Sequence, residues 1–296
     1  MRQINNCLSF RFIIGGTALI LLLFPPTAQA GDGSGGELQL FTMATGLLGG
    51  LAIFLFGMEQ MSEAMRLVAG LRMRDIIGRL TSNHWIGLLT GTFVTSIIQS
   101  SSVTTVIVVG FVTSGLMTFT QAVGVILGAN IGTTITAHII ALKVTQYALL
   151  LVAVGFLLLF TGQGKRRHYG QWLMGLGLIF LGMDLMGSAM SPLRTYQPFL
   201  DLMTAVENPA IGILVSALFT AVVQSSSATI GMAVVFASQG LITLPAGIAF
   251  VLGANVGTCV TAILAGIGKP REATRAAAAH VFFNIAGALI LLPFLT

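Results

Sequence analysis

The sequence predicts an all-α integral membrane protein, built as an inverted-topology repeat of transmembrane helices with two re-entrant hairpins and broken helices. Three observations lead to this prediction. The chain of 296 residues is 55% hydrophobic and only 8% charged, whereas soluble domains carry about 25% charged residues. Several apolar stretches have the ~20 residues that cross a bilayer as a helix. The third observation is a duplicated segment in which polar residues interrupt apolar runs.

The first thirty residues have the pattern of a secretory signal peptide. Arg2 and Arg11 form a basic region, residues 12–24 form an apolar core, and Ala28-Gln29-Ala30 is a small-residue cleavage site. The apolar core is short for a membrane span, which favours cleavage after Ala30 over an uncleaved anchor helix. Residues 31–40 would then be a short periplasmic N-terminus.

The chain contains an internal duplication. Residues 87–137 and 212–262 align without a gap and share 21 identities. The offset is 125 residues, both for the glutamines of two Gln-Ser-Ser-Ser segments (224 minus 99) and for the asparagines of two Gly-Ala-Asn motifs (255 minus 130). Internal repetition of this length indicates a repeated structural unit. We therefore expect two transmembrane repeats, at 41–161 and 170–296.

Each repeat is expected to contain a re-entrant hairpin, at 86–117 and at 210–241. The polar segment divides the first hairpin into arms that would each be about 20 Å long as helices. Such arms are too short to cross a hydrocarbon core of ~30 Å, and one continuous helix of about 46 Å is too long without a steep tilt. A hairpin that enters and leaves on one side gives each repeat three crossings, and an odd number of crossings inverts the second repeat.

The positions of the basic residues support this topology. With the N-terminus in the periplasm, most basic residues fall in cytoplasmic segments, as the positive-inside rule requires: Arg66, Arg72, Arg74, Arg79, Lys165, Arg166, Arg167, Lys269, Arg271 and Arg275. This placement accounts for the net charge of +5 without a nucleic-acid partner. Cys7 and Cys259 support neither a disulfide framework nor a metal site.

The two Gln-Ser-Ser-Ser segments predict an oxyanion site at the hairpin tips. Three adjacent serines are unusual in a membrane helix, where single Ser or Thr residues usually form the interhelical hydrogen bonds. At a tip, their hydroxyls would join the free N–H groups and the positive dipole end of the following helix. The candidate substrate-binding residues are Gln99, Ser100, Ser101, Ser102, Gln224, Ser225, Ser226 and Ser227.

A second prediction concerns sodium. Neither hairpin contains Arg or Lys, so a bound anion would need neutral donors and co-bound cations, which suggests coupling to Na⁺. Oxygen ligands at unwound helices bind such ions, and we expect the helix to break at residues 128–134 and 253–259, where glycines flank an asparagine. The alternative is that these glycines only allow close helix packing. The candidate Na⁺ ligands are Thr104, Asn130, Thr133, Thr229, Asn255 and Thr258.

The doubled motifs and the closing segment His280–Gly287 (HVFFNIAG) resemble the type II sodium/phosphate cotransporter family, over essentially residues 41–296. The resemblance implies two hairpins that meet at the midplane, with the tip serines at phosphate and the tip glutamines orienting the hairpins. It implies that Asn130, Thr133, Asn255 and Thr258 lie in or beside sodium sites. It also implies a bacterial inner-membrane transporter that uses Na⁺ as coupling ion without another cofactor, and a PhoU-like cytoplasmic regulatory domain or protein as partner.

Other interpretations stay open at this point. The chain departs from strict repetition at Cys259, which stands where the first repeat has Thr134. Bacterial members of the family often continue into further helices, so this chain is expected to be a fragment or a minimal version. Its substrate could be another oxyanion or a small carboxylate, or it could be a membrane sensor that binds phosphate without moving it. An intramembrane serine hydrolase needs a base near its serine, and neither Gln-Ser-Ser-Ser segment contains a histidine, so we expect no enzyme activity.

Overall fold

A computed structural model describes residues 40–69, 83–142 and 144–295, and every regular element in these ranges is helical. The prediction of an all-α protein is confirmed. The helices are α1 (Leu40–Ala69), α2 (His84–Ile98), α3 (Ser101–Thr113), α4 (Phe119–Ala141), α5 (Ala148–Thr161), α6 (Lys165–Met190), α7 (Gln197–Val206), α8 (Pro209–Val223), α9 (Ser226–Ser238), α10 (Leu244–Gly266) and α11 (Arg271–Leu291), with 3-10 turns at Thr145–Tyr147, Ser191–Thr195 and Leu292–Phe294. The predicted signal peptide, residues 31–39 and the basic residues Arg72, Arg74 and Arg79 lie outside the described residues.

Five of the described helices are long and apolar enough to cross a membrane, namely α1, α4, α6, α10 and α11. The prediction of a multi-pass membrane protein is confirmed. The helices on either side of each Gln-Ser-Ser-Ser segment are shorter, with 13 to 15 residues each, which is about 20 Å. Residues 145–161 form a 3-10 turn and a 14-residue helix that together reach about 27 Å.

The two repeats meet where α1 packs along α6. A methyl group built on Gly50 would lie 2.8 Å from the carbonyl oxygen of Gly182, and one on Gly57 would lie 2.7 Å from that of Gly175. Gly50 and Gly175 occupy equivalent positions in the repeats, as do Gly57 and Gly182, so the two contacts are related by the duplication. Residue numbers rise along α1 as they fall along α6. Equivalent spanning helices therefore run antiparallel, as in an inverted repeat.

The helices that carry the Gly-Ala-Asn motifs, α4 and α10, run without a break. The predicted break at these motifs is wrong. A methyl group on Gly128 would lie 2.0 Å from the carbonyl oxygen of Leu88 in α2, and one on Gly253 would lie 2.2 Å from that of Ile213 in α8. Real Cβ atoms do not come so close, so these glycines let α2 and α8 pack backbone to backbone against α4 and α10. The alternative of close helix packing explains the glycines.

The short helices are held between the two repeats. Helix α3 contacts α10 and α11 of the second repeat, and α9 contacts α4 of the first repeat as well as α6. The buried cluster around Val108, Val109 and Val112 of α3 includes Ala262 from α10 and three alanines of α11, Ala273, Ala276 and Ala277. The helix that follows each Gln-Ser-Ser-Ser segment, α3 or α9, therefore packs against helices of both repeats.

Candidate anion and sodium site at the helix breaks

Both Gln-Ser-Ser-Ser segments form sharp helix breaks. Helix α2 ends at Ile98 and α8 ends at Val223, and each is followed by a glutamine in the left-handed conformation. The φ and ψ angles are 60° and 25° for Gln99, and 59° and 25° for Gln224. Among the described residues, these are the two that have positive φ without being glycine. The conformation costs on the order of 1–2 kcal/mol, and such strain is concentrated at functional sites.

Contacts between hydroxyls show that the chain reverses at each break. Thr95 Oγ1 donates to Thr104 Oγ1 at 2.9 Å, and the hydroxyl oxygens of Thr220 and Thr229 are 2.5 Å apart. Residues nine apart in a continuous helix are separated by about 13.5 Å along its axis. Helices α2 and α3 therefore form one helical hairpin (hairpin 1), and α8 and α9 form another (hairpin 2).

The first serine of each tip caps the second arm. The Oγ atoms of Ser100 and Ser225 accept hydrogen bonds from the N–H groups of Val103 and Ala228, each at 3.3 Å. A serine hydroxyl in this position satisfies one of the N–H groups that a helix start leaves unpaired. The predicted substrate-binding residues Ser100 and Ser225 are therefore engaged in holding the tips.

The next two serines of each tip offer hydroxyl and backbone N–H groups that form no hydrogen bond to the described residues. The side-chain hydroxyls of Ser101, Ser102, Ser226 and Ser227 form no hydrogen bond within the part of the chain that the structure describes. Their N–H groups lie in a first helical turn and have no intrahelical acceptor. Three of these residues are buried, with 6% exposure for Ser101, 8% for Ser226 and 7% for Ser227. Unpaired donors at the positive end of a helix suit an oxyanion.

The tip glutamines bind to their own repeats. Gln99 Nε2 donates to the carbonyl oxygen of Ser96, and Gln99 Oε1 accepts from Thr136 Oγ1 at 2.8 Å. Gln224 Nε2 donates to the carbonyl oxygen of Ala221. Gln99 is buried and Gln224 is exposed. Each tip glutamine is therefore bonded within its own repeat, and the orienting role that the resemblance implied stays a prediction.

Two of the predicted Na⁺ ligands lie directly beneath the tips. Thr104 and Thr229 are 0% and 2% exposed. Their Oγ1 atoms donate to the carbonyl oxygens of Ser100 and Ser225, at 3.2 and 3.4 Å. Each hydroxyl is also in contact with the first arm of its hairpin, so these threonines connect the tip backbone to both arms.

The other predicted Na⁺ ligands lie on α4 and α10. Thr133 and Thr258 donate to carbonyl oxygens of their own helices, at 3.1 and 2.8 Å. Asn130 Nδ2 donates to Asn284 Oδ1 at 3.0 Å, which ties α4 to α11, whereas the side chain of Asn255 forms no hydrogen bond to the described residues. Because these helices are unbroken, their backbone carbonyls stay within the helix. Only side-chain oxygens remain as candidate ligands on α4 and α10.

Sequence reasoning missed two residues that hold hairpin 1. Ser62 Oγ of α1 donates to the carbonyl oxygen of Ile98 at 2.6 Å, a group that the end of α2 leaves without an intrahelical partner. Thr136 holds Gln99, and its repetition as Thr261 in the second repeat was a signal that could have identified it. No such signal existed for Ser62, because the equivalent position is Gly187.

Comparison with known proteins identifies the family. The model of the Na⁺/Pi-cotransporter family matches residues 53–188 and 196–295, which include both hairpins, α4 and α10. The chain belongs to the Na⁺/Pi-cotransporter family. This is a family of membrane transporters and not of enzymes, so the expectation of no enzyme activity is confirmed, as is the resemblance stated above.

The relatives cover the chain to different extents. The uncharacterized protein YqeW of Bacillus subtilis is 33% identical over 83% of this chain and 80% of its own length. YjbB of Escherichia coli, whose name proposes inorganic phosphate export, is 28% identical over 84% of this chain and 46% of its own length. Human sodium-dependent phosphate transport protein 2B is 43% identical over 42% of this chain and 20% of its own length. The chain thus spans less than half of the relatives named for phosphate. No solved structure matched it.

Proposed function

We propose that the protein is a sodium-coupled secondary transporter of inorganic phosphate, and that both hairpin tips bind one phosphate ion. The observation that carries this proposal is the pair of left-handed tips, each followed by a helix start with two unengaged serine hydroxyls. Two N–H groups and two hydroxyls at each tip provide up to eight donors. A tetrahedral oxyanion presents acceptors in every direction and can engage two opposed sets of donors.

Sodium coupling follows from the charge of the site. Neither hairpin contains a Lys or Arg side chain, and a buried anion without compensating charge is strongly disfavoured. A bound cation removes this penalty. The side-chain oxygens near the tips, including those of Thr104 and Thr229, are of the hard type that alkali cations prefer, and the name of the human relative describes sodium dependence.

The proposed topology follows from the antiparallel contact of α1 and α6. If both helices span the membrane with the N-terminus in the periplasm, as the positive-inside rule predicts, hairpin 1 enters from the cytoplasmic side and hairpin 2 from the periplasmic side, and we expect their tips to approach each other near the midplane. Binding sites between inverted repeats at this depth are typical of secondary transporters, in which the two sides open alternately.

Radiolabelled phosphate uptake into proteoliposomes tests the proposal. We expect uptake against a phosphate gradient when Na⁺ is higher outside, and none when choline replaces Na⁺. Equal uptake in both buffers would contradict sodium coupling, and phosphate binding without uptake or efflux would indicate a sensor. Absence of labelled phosphate uptake, together with Na⁺-driven uptake of labelled sulfate or a labelled small carboxylate, would reassign the substrate. Vesicles preloaded with phosphate measure export, the direction in the name of YjbB.

A further inference from the structure

The two hairpin tips differ in one hydrogen bond. In the first repeat, Thr136 Oγ1 donates to Gln99 Oε1 at 2.8 Å, and both residues are buried, with 1% and 7% exposure. In the second repeat, the equivalent Thr261 Oγ1 instead donates to the carbonyl oxygen of Thr258 at 2.6 Å. The exposed Gln224 keeps only the bond from its amide nitrogen to its own hairpin within the described residues.

The backbone nevertheless places Thr261 beside Gln224 as it places Thr136 beside Gln99. A methyl group on Gly132 would lie 2.7 Å from the Cβ atom of Thr95, and one on Gly257 would lie 2.7 Å from that of Thr220. The threonine follows its glycine by four residues in each case, and the glutamine likewise follows the contacted threonine by four. The helix that carries the glycine and the first arm of the hairpin run in the same direction. Residues one turn beyond the contact therefore lie at the same level on the two helices. Forming the missing bond therefore requires side-chain rotation, not a change of register.

The two hairpins also differ in where neighbouring elements bond to them. Ser62 of α1 bonds the end of α2, whereas the equivalent Gly187 of α6 has no side chain with which to bond the end of α8. A cavity of about 230 Å³ borders hairpin 2, lined on its two arms by Val215, Ser216, Phe219, Thr229, Met232 and Phe236. A bond from a neighbouring helix thus reaches the tip of hairpin 1, whereas hairpin 2 is bonded away from its tip, where Arg194 donates to the side chain of Gln239 after the end of α9.

We infer that Thr136 and Thr261 are positioning residues of the transport reaction, each holding the tip glutamine of its own repeat. Thr136 holds Gln99 before substrate arrives. Thr261 turns from the carbonyl of Thr258 to Gln224 when phosphate and Na⁺ occupy the site, and thereby closes the second tip. This inference rests on the proposed function for the identity of the ligand, but the bond in hairpin 1 exists without it.

Hydrogen–deuterium exchange of the full chain in detergent tests the inference, first without phosphate. The readout is exchange of the tip amides, residues 99–104 and 224–229. We expect Thr136→Val, which is nearly isosteric, to raise exchange at the first tip about fivefold, the effect of one net hydrogen bond. Thr136→Ser should behave as the native protein, and Thr261→Val should leave the second tip unchanged. An unaltered first tip in Thr136→Val would overturn the inference.

The second part of the experiment repeats the exchange measurement with saturating phosphate and Na⁺. Exchange at the second tip should slow about fivefold in the native chain, remain fast in Thr261→Val, and slow again in Thr261→Ser. The maximal transport rate should fall in Thr261→Val and return in Thr261→Ser. If the second tip of Thr261→Val is protected as in the native chain, the role of Thr261 is wrong and phosphate transport still stands. If the native chain binds no phosphate, the proposed function fails, and the ligand-free measurement still decides the role of Thr136.

Discussion

Asn83 and Asn208, which lie 125 residues apart, each cap the first arm of a hairpin through the side-chain oxygen. Asn83 Oδ1 accepts from the N–H of Ile86 at 2.9 Å, and Asn208 Oδ1 accepts from the N–H of Ala210 at 3.0 Å. Both caps are exposed. Because the equivalent helices α1 and α6 are antiparallel, these two equivalent caps should face opposite sides of the membrane.

Cysteine labelling in intact cells tests this topology. In a chain with Cys7→Ser and Cys259→Thr, we expect a membrane-impermeant maleimide to label Asn208→Cys from the periplasm and to leave Asn83→Cys unlabelled. Loss of either cap costs about 1 kcal/mol, so the two variants are matched in stability. Both should react after the cells are permeabilised. Labelling of both positions in intact cells would end the inverted-repeat topology.

A second prediction concerns the glycines of hairpin 1. A methyl group on Gly91 would lie 2.1 Å from the carbonyl oxygen of Val125 in α4, whereas one on Gly110 would meet no atom within 4 Å. We expect Gly91→Ala to destabilise the protein by about 1–3 kcal/mol through overpacking. Gly110→Ala should be neutral or slightly stabilising, because alanine has the higher helix propensity. Thermal unfolding in detergent compares them, and equal melting temperatures would contradict backbone contact between α2 and α4.

The sequence predicted those features that local chemistry determines. The repeat offset and both hairpin tips follow from the Gln-Ser-Ser-Ser segments, since a polar run between two short apolar arms can adopt few structures in a membrane. The predicted helix break at Asn130 was wrong, because a glycine in a membrane helix can either break the helix or allow close contact with a neighbouring helix. Which of the two occurs depends on that neighbouring helix. Gly128 faces the backbone of Leu88, and that contact is not visible in the order of residues.

The hydrogen bonds that hold the tips were beyond sequence reasoning for a related reason. Ser62 and Thr136 are single hydroxyls in apolar helices, and such residues are common in membrane proteins. Their roles depend on partners 36 and 37 residues away, the carbonyl of Ile98 and the side chain of Gln99. Predicting these pairs requires the packing of α1 and α4 against the hairpin, which no local pattern encodes.

A third prediction concerns the linkage between phosphate and Na⁺. Because the hairpins contain no fixed cation, phosphate should bind much more weakly in choline than in Na⁺. Thermodynamic reciprocity then requires phosphate to tighten Na⁺ binding by the same factor. Isothermal titration of phosphate in the two buffers, and of Na⁺ with and without phosphate, measures both sides of the linkage. Equal phosphate affinities in Na⁺ and choline would contradict the role of co-bound cations.

The last prediction separates the serines that bind the ligand from those that cap the helices. Ser101 and Ser226 are buried, and their hydroxyls are unengaged, so Ser101→Ala and Ser226→Ala should each remove one hydrogen bond to a charged ligand. Such a bond contributes about 1.5–3 kcal/mol, which predicts a loss of phosphate affinity of about 10- to 150-fold. Stability without ligand should hardly change. The double variant should be non-additive, because both residues contact one ion.

Ser100→Ala and Ser225→Ala are the matched controls for this experiment. Both remove a cap, since the lost hydroxyls bind the N–H groups of Val103 and Ala228, and should cost about 0.5–2 kcal/mol of stability. Phosphate titration and thermal unfolding in detergent, measured on all four single variants, give a phosphate affinity and a melting temperature for each serine variant. If Ser101→Ala or Ser226→Ala lowers the melting temperature and binds phosphate normally, that serine is structural. An additive double variant would show that the two tips do not contact the same phosphate ion.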